Sequence, residues 1–213
     1  MTPLIRKPWR RLHLACETSA ETARDIVRAL SGAPTPSPRL LGIDGRSGSG
    51  KSRLARRVCQ ALDEVGLSRT LVVMDDLYEG WAGLPQAPST LCSRVIDPLS
   101  AGGRAAYRRF DWHVGALTDT VEVTDAEVIV IEGVGSTWHR RREAFTLTVW
   151  VQAPAEVRHE RACARTGQGD FAAQGQAWAR AEDALFGPDG YPHPPAPFDM
   201  VLDTRLDREG CRD

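Results

Sequence analysis

Gly45, Arg46, Ser47, Gly48, Ser49, Gly50, Lys51 and Ser52 form the segment of this sequence best suited to chemistry. They read G-x-x-x-x-G-K-S, after the apolar run Leu40-Leu41-Gly42-Ile43 and before a stretch with helical spacing. In such a loop the glycines let the backbone bend round a polyphosphate with its N–H groups turned inward. The lysine reaches the outer phosphates, and the serine hydroxyl at the helix start binds Mg²⁺. Leu54, Val58, Ala61, Leu62 and Val65 recur at helical intervals from Ser52 to about Val65, so the helix N-terminus faces the anion. Of the 27 basic residues other than histidine, only Lys7 and Lys51 are lysines, and one of the two stands in this loop. The loop predicts a nucleoside triphosphate ligand.

Carboxylates recur at the ends of other apolar runs. Thr70–Met74 ends in Asp75-Asp76, Val128–Ile131 ends in Glu132, Leu147–Val151 leads to Pro154, and Met200–Leu202 ends in Asp203. Short continuous apolar runs separated by helix-sized intervals predict strands of a parallel sheet buried on both faces. In open parallel sheets ligands sit beyond the carboxyl ends of the strands. Asp75 and Glu132 are therefore candidates to hold Mg²⁺ with Ser52, directly or through water, and Asp75 to accept a proton. Asp44 and Asp203 read equally well as turn or capping residues.

After Pro154, which suits a first helical turn, Arg158, Arg161 and Arg165 stand at i, i+3 and i+7 and share one helix face. That row is either a solvated surface or a set of cations that closes over a transferring phosphoryl group. Thr166 to Asp170 reads as a flexible turn, and Ala172 to Phe186 as a second helix, which together make a lid over about 154–186. Tyr107-Arg108-Arg109-Phe110-Asp111-Trp112-His113 mixes aromatic, basic and acidic residues; it fits either a half-buried strand or the wall of an acceptor pocket. Arg140-Arg141-Arg142 reads as a solvated run. Residues 81–126 are the least regular part, with Asp97-Pro98-Leu99 beginning or ending a helix.

The elements that must position these groups make one α/β unit. Its 213 residues, 42% hydrophobic and 26% charged, suit a single globular domain. Thr18 or Ser19 caps an expected helix through about Leu30, with Ala23, Ile26, Val27 and Leu30 as its apolar stripe. Ser31 to Pro38 reads as a proline-rich linker, giving an N-terminal segment 1–38 and a nucleotide-binding domain 39–213. The formal charge of -1 and the lack of a recognition motif argue against nucleic acid as partner. Five scattered cysteines (Cys16, Cys59, Cys92, Cys163, Cys211) form no C-x-x-C pair and read as free thiols in a reducing compartment. No window approaches the roughly 20 apolar residues that span a bilayer, and no apolar core follows the basic N-terminus. The expectation is a cytoplasmic protein without a membrane partner; homo-oligomer formation is left open.

G-I-D-G-R-S-G-S-G-K-S at 42–52, M-D-D-L-Y at 74–78, F-D-W at 110–112, I-E-G at 131–133 and the arginine-bearing segment 158–165 occur in this order. In this the chain resembles the uridine kinase and phosphoribulokinase branch of P-loop kinases. The resemblance implies a three-layer α/β/α fold with a mostly parallel sheet and a helical lid. It also implies transfer of the γ-phosphoryl of Mg-ATP to a hydroxyl of a small molecule, a uridine- or cytidine-like nucleoside above all. By the same resemblance Asp75 is the general base, Tyr78 lines the acceptor pocket, Asp111 and Trp112 contact a nucleoside, and Arg161 and Arg165 are lid arginines. Leu77 stands where the family carries phenylalanine. Two rivals are a regulator that binds ATP without turning it over and a kinase of a non-nucleoside metabolite. A GTPase-type switch would need an N-K-x-D motif, and neither lysine stands in one.

Overall fold

The computed structural model describes residues 14–15, 20–33, 38–138, 141–166 and 168–205, without side chains for 14–15 and 165–173. Continuous apolar runs become strands, as their composition requires. β1 (Leu14–Ala15), β2 (Arg39–Asp44), β3 (Arg69–Val73), β6 (Val128–Glu132), β7 (Leu147–Gln152) and β8 (Met200–Asp203) form one sheet in the order β1-β8-β7-β2-β6-β3. Every pairing in it is parallel. Between β3 and β6, β4 (Ala105–Asp111) and β5 (Ala116–Val123) form a separate antiparallel hairpin.

Both faces of the sheet are covered, which is why its strands are apolar throughout rather than alternating. Val128 and Val130 of β6 face one cluster, shared with α1 (Ala20–Ser31) and α2 (Lys51–Glu64). Ile129 and Ile131 face the other, built from α3 (Ala87–Leu91), α4 (Asp97–Ser100), the hairpin and the end of α6 (Gln168–Phe186). The predicted stripe of α1, Ala23, Ile26, Val27 and Leu30, is buried against α2. Its proposed caps Thr18 and Ser19 lie outside the described residues, as does 34–37 of the proline-rich segment.

Local chemistry explains the boundaries. α2 stops at Val65 because Gly66 takes φ 74° and donates to Asp63 O at 3.1 Å, while Leu67 N donates to Leu62 O at 3.0 Å. This paired arrangement satisfies the last carbonyls of a helix. α3 continues through a π-helical turn, Cys92–Ile96, into α4. Pro98 has no N–H for an i−4 bond, and its ring crowds the carbonyl there, so the wider turn accommodates it. α5 (Ala155–Thr166) follows Pro154 as expected. The anticipated turn at 166–170 is shorter than the sequence suggests: Gln168, Gly169 and Asp170 already belong to α6, and Gly167 lies outside the described residues.

Candidate active site

The register of the sheet gathers the predicted groups. Ile43, Glu132 and Val73 lie side by side on β2, β6 and β3, so the phosphate loop, Glu132 and the Asp75 turn leave the sheet at one level. In the loop, Gly45, Gly48 and Gly50 have φ of 147°, 75° and 101°, a region that disfavours other residues. A Cβ on Gly48 would lie 2.1 Å from the carbonyl oxygen of Arg158, because the start of α5 is packed directly on the loop. The glycines thus permit both the bend and the close approach.

Lys51 opens α2 and is buried, with Nζ donating to Arg46 O at 3.0 Å. Burial pushes its pKa down, and the charges of Glu132, Glu182, Asp44 and Asp75 oppose that shift. Ser52 Oγ donates to Glu132 Oε2 at 3.3 Å. This pair suits Mg²⁺, which takes few protein oxygens and fills its shell with phosphate and water. Among the described residues, no three His, Cys, Asp or Glu side chains gather into an all-protein metal cage. Ser49 Oγ, fully buried in the loop, has no hydrogen-bond partner among the described residues. Gly48, Gly50, Lys51, Ser52 and Arg161 line a cavity of about 180 Å³ with Arg53 and Arg56. The residues present therefore fit a magnesium-bound polyphosphate.

Asp44 and Asp203 resolve to structural roles. Asp44 Oδ1 accepts from Gly45 N at 2.7 Å and Gly135 N at 2.8 Å; Oδ2 accepts from Thr137 N at 2.9 Å and Thr137 Oγ1 at 2.8 Å. It pins the loop after β6 to the phosphate loop. Burial raises its pKa despite these bonds. Asp44→Ala leaves four buried donors without an acceptor, each costing about 1–3 kcal/mol. The expected loss is at least about 3 kcal/mol, read as a lower urea midpoint at unchanged slope. Asp203 accepts from Tyr191 Oη at 2.9 Å and Arg205 at 2.7 Å.

At the end of the neighbouring strand, β3 runs into a 3₁₀ turn, Met74–Asp76, whose two acids diverge. Asp76 accepts from Tyr107 Oη at 3.1 Å and lies 3.5 Å from Arg109. Asp75 is exposed, and its backbone carbonyl accepts from Trp112 Nε1 at 2.9 Å. Trp112 is 40% exposed and packs edge-on against Phe110 and Trp81, each at 5.5 Å; Trp81 packs on Trp178, and Trp178 on Tyr78. An aromatic wall thus stands beside Asp75.

Two residues singled out in the sequence have structural partners of their own. Tyr78 does not line an open pocket: it is 1% exposed, and its hydroxyl donates to Val134 O at 2.8 Å. Burial raises its pKa well above the usual phenol value. Gly133 exists for the same packing, since a Cβ there would lie 2.4 Å from Met74 Cβ. Asp111 caps the hairpin turn, Oδ1 accepting from His113 N at 2.8 Å and Val114 N at 3.0 Å, which lowers its pKa. That is the work of a turn residue.

Arg161 reaches the loop cavity and donates to Thr204 Oγ1 and Thr204 O, both at 2.8 Å. Arg165 belongs to α5, but its side chain lies outside the described residues. Arg158 instead faces Ser47 O at 3.4 Å and pairs with Asp189. Sequence reasoning missed Glu182 of α6, which accepts from Ser47 N at 2.7 Å and Trp178 Nε1 at 3.0 Å. Its other oxygen lies 3.7 Å from Arg46 and 4.0 Å from Arg158. An acid inside a helical segment, here beside a second one at Asp183, carries no signal of its role in sequence. Arg46 also binds Asp183 at 2.8 Å, so the second helix grips the phosphate loop directly.

Burial raises the Glu182 pKa, although Ser47 N–H, Lys51, Arg158 and Arg46 pull it down. A carboxyl raised in the folded state contributes stability below its unfolded pKa and loses it as pH rises through the folded one. Glu182→Gln, which does not titrate, is therefore expected to gain stability relative to the wild type as pH rises above about 4.3. Parallel thermal melts across pH check this; a difference that does not vary with pH would contradict it.

No protein-family model matches the chain. Its fold is similar to that of a protein from Bacillus stearothermophilus named as a possible uridine kinase. The match has a TM-score of 0.53 at 22% identity, covering 74% of this chain and 94% of that one. A candidate fructose transport system kinase from Silicibacter sp. TM1040 gives 0.57 at 19%, covering 88% and 99%. D-glycerate 3-kinase from Cryptococcus neoformans var. grubii gives 0.56 at 14%, covering 89% and 97%. The chain shares the three-layer α/β fold of these proteins, with a parallel sheet.

Proposed function

We propose that this protein is a kinase that transfers the γ-phosphoryl group of Mg-ATP to a hydroxyl of a small molecule. The observation that carries this reading is the alignment, at the carboxyl ends of neighbouring strands, of Lys51, the Ser52–Glu132 pair and the exposed Asp75. When bound, Mg-ATP supplies the phosphoryl group and the cation that neutralises part of its charge. The glycines at 45, 48 and 50 shape the cradle, and Lys51 balances charge on the outer phosphates. Ser52 and Glu132 offer oxygens to the metal. Asp75 takes the proton of the acceptor hydroxyl as its oxygen forms the new bond to phosphorus and ADP departs. Arg161 adds positive charge from the α5 side. Positioning and charge neutralisation supply most of the rate in this chemistry.

The partly exposed indoles of Trp112 and Trp81 beside Asp75 support a flat acceptor such as a nucleoside, whose base can stack on them. A second reading, a smaller non-nucleoside alcohol or hydroxy acid, is favoured by the burial of Tyr78 and the use of Asp111 in the turn. ADP release with Mg-ATP, measured across nucleosides, sugars and hydroxy acids, tests both. Saturable turnover with one class names the acceptor. No acceptor-dependent ADP from any class would favour a nucleotide-binding regulator instead. Absence of a membrane partner and a cytoplasmic location remain part of this reading; no described helix is long and apolar enough to cross a membrane.

A further inference from the structure

A second cavity, of about 160 Å³, lies under residues 188–195, away from Asp75 and its aromatic wall. Trp150 and Gln152, two apart on β7 and so on one side of the sheet, form its floor; Phe186, Tyr191 and His193 are among its walls. Arg46 and Arg158 also border it, and both face Asp189 on its rim, so the charges there are paired within the protein. The walls are fixed before any ligand arrives. Trp150 packs edge-on against Phe186 at 5.1 Å, Tyr191 Oη donates to Asp203 at 2.9 Å, and His193 N donates to Gly190 O at 2.8 Å.

One atom in this cavity is unsatisfied. Gln152 is 5% exposed, and its Nε2 donates to Pro192 O at 2.8 Å, while Oε1 has no partner among the described residues. The amide orientation is settled by Pro192: a carbonyl there requires the NH₂ and leaves the oxygen as the spare group. An orphaned buried acceptor loses its hydration without a protein partner in return. It marks where a donor belongs. A cavity of about 150 Å³ with apolar walls accepts a benzene-sized ring, whereas a bridging water needs two to four polar partners.

We propose that this cavity, which borders the phosphate loop at Arg46 but is separate from the cavity at Lys51 and Ser52, is a small-molecule site that takes a flat, neutral, single-ring heterocycle with an N–H donor aimed at Gln152 Oε1. The aromatic walls receive the faces and edges of the ring, and the amide oxygen discriminates donors from isosteres that lack one. Such a site is independent of phosphoryl transfer and holds its ligand whether or not the chain is a kinase.

The test uses two neutral probes of nearly equal shape, 2-aminopyrimidine and 2-methylpyrimidine, titrated into the full-length protein and followed by ¹H–¹⁵N NMR. The wild type is expected to bind the amino probe roughly 10-fold more tightly, the size of one satisfied buried hydrogen bond. Gln152→Leu, which removes the acceptor at similar volume, is expected to abolish that preference. Equal affinities in the wild type, or no binding of either probe, would overturn the proposal without recourse to the variant. So would a crystal structure, grown with the amino probe, that shows only water on Gln152 Oε1.

Discussion

Lys51→Ala is expected to lower turnover by roughly 10³-fold or more, the scale on which removing a cation from a phosphoryl-transfer site acts. The geometry gives the reason. Lys51 Nζ sits inside the glycine loop, 3.0 Å from Arg46 O, and the burial that depresses its pKa also removes the water that would screen its charge. Four acids, Glu132, Glu182, Asp44 and Asp75, act on this one cation. Alanine therefore loses the charge that faces the phosphates and leaves those acids without their shared counter-charge. Thermal melts alongside steady-state kinetics separate the two effects. A folded Lys51→Ala protein with wild-type turnover would contradict the role given to the loop.

The second large effect is expected at Asp75. Asp75→Asn keeps the size of the side chain and the backbone carbonyl that holds Trp112, but cannot accept the acceptor's proton. A general base contributes about 10²–10⁴-fold, so kcat should fall on that scale with little change in KM for the acceptor. Asp76 provides the internal control. It is engaged by Tyr107 and Arg109, so Asp76→Asn is expected to leave kcat within about 10-fold while weakening the hairpin contact. Equal losses of kcat in the two variants would remove Asp75 from the base role.

Lys51 and Asp75 are legible in the sequence because their signals are local. A lysine in G-x-x-x-x-G-K-S and an acid closing a continuous apolar run each report their surroundings within a few positions. The same holds for the buried strands at 128–131, 147–151 and 200–202, for the half-buried edge strand at 70–73, and for the stripe of α1. The helical stretch from Ala87 to Ser100 is harder to see. Leu84, Ala87, Leu91 and Val95 repeat at helical spacing, but Pro88 and Pro98 interrupt it, and a π-helical turn absorbs the second. The packing of Tyr78 and the turn bonds of Asp111 escape sequence reasoning for a different reason. Motif position says which residue stands near a site; whether its side chain faces the ligand or the core is set by tertiary packing, here Trp178 over Tyr78 and two turn amides on Asp111. Glu182 is invisible in the sequence because its partners, Ser47, Arg46 and Arg158, are distant along the chain.

Transfer of a phosphoryl group from ATP to a hydroxyl is tested most directly by mass spectrometry of the products. The ATP carries ¹⁸O in its γ-phosphoryl group, Mg²⁺ is present, and Lys51→Ala runs in parallel. Labelled phosphate is expected on an acceptor with the wild type and on none with the variant. Label that appears only as inorganic phosphate, or that reaches the acceptor equally well with Lys51→Ala, would contradict the kinase assignment.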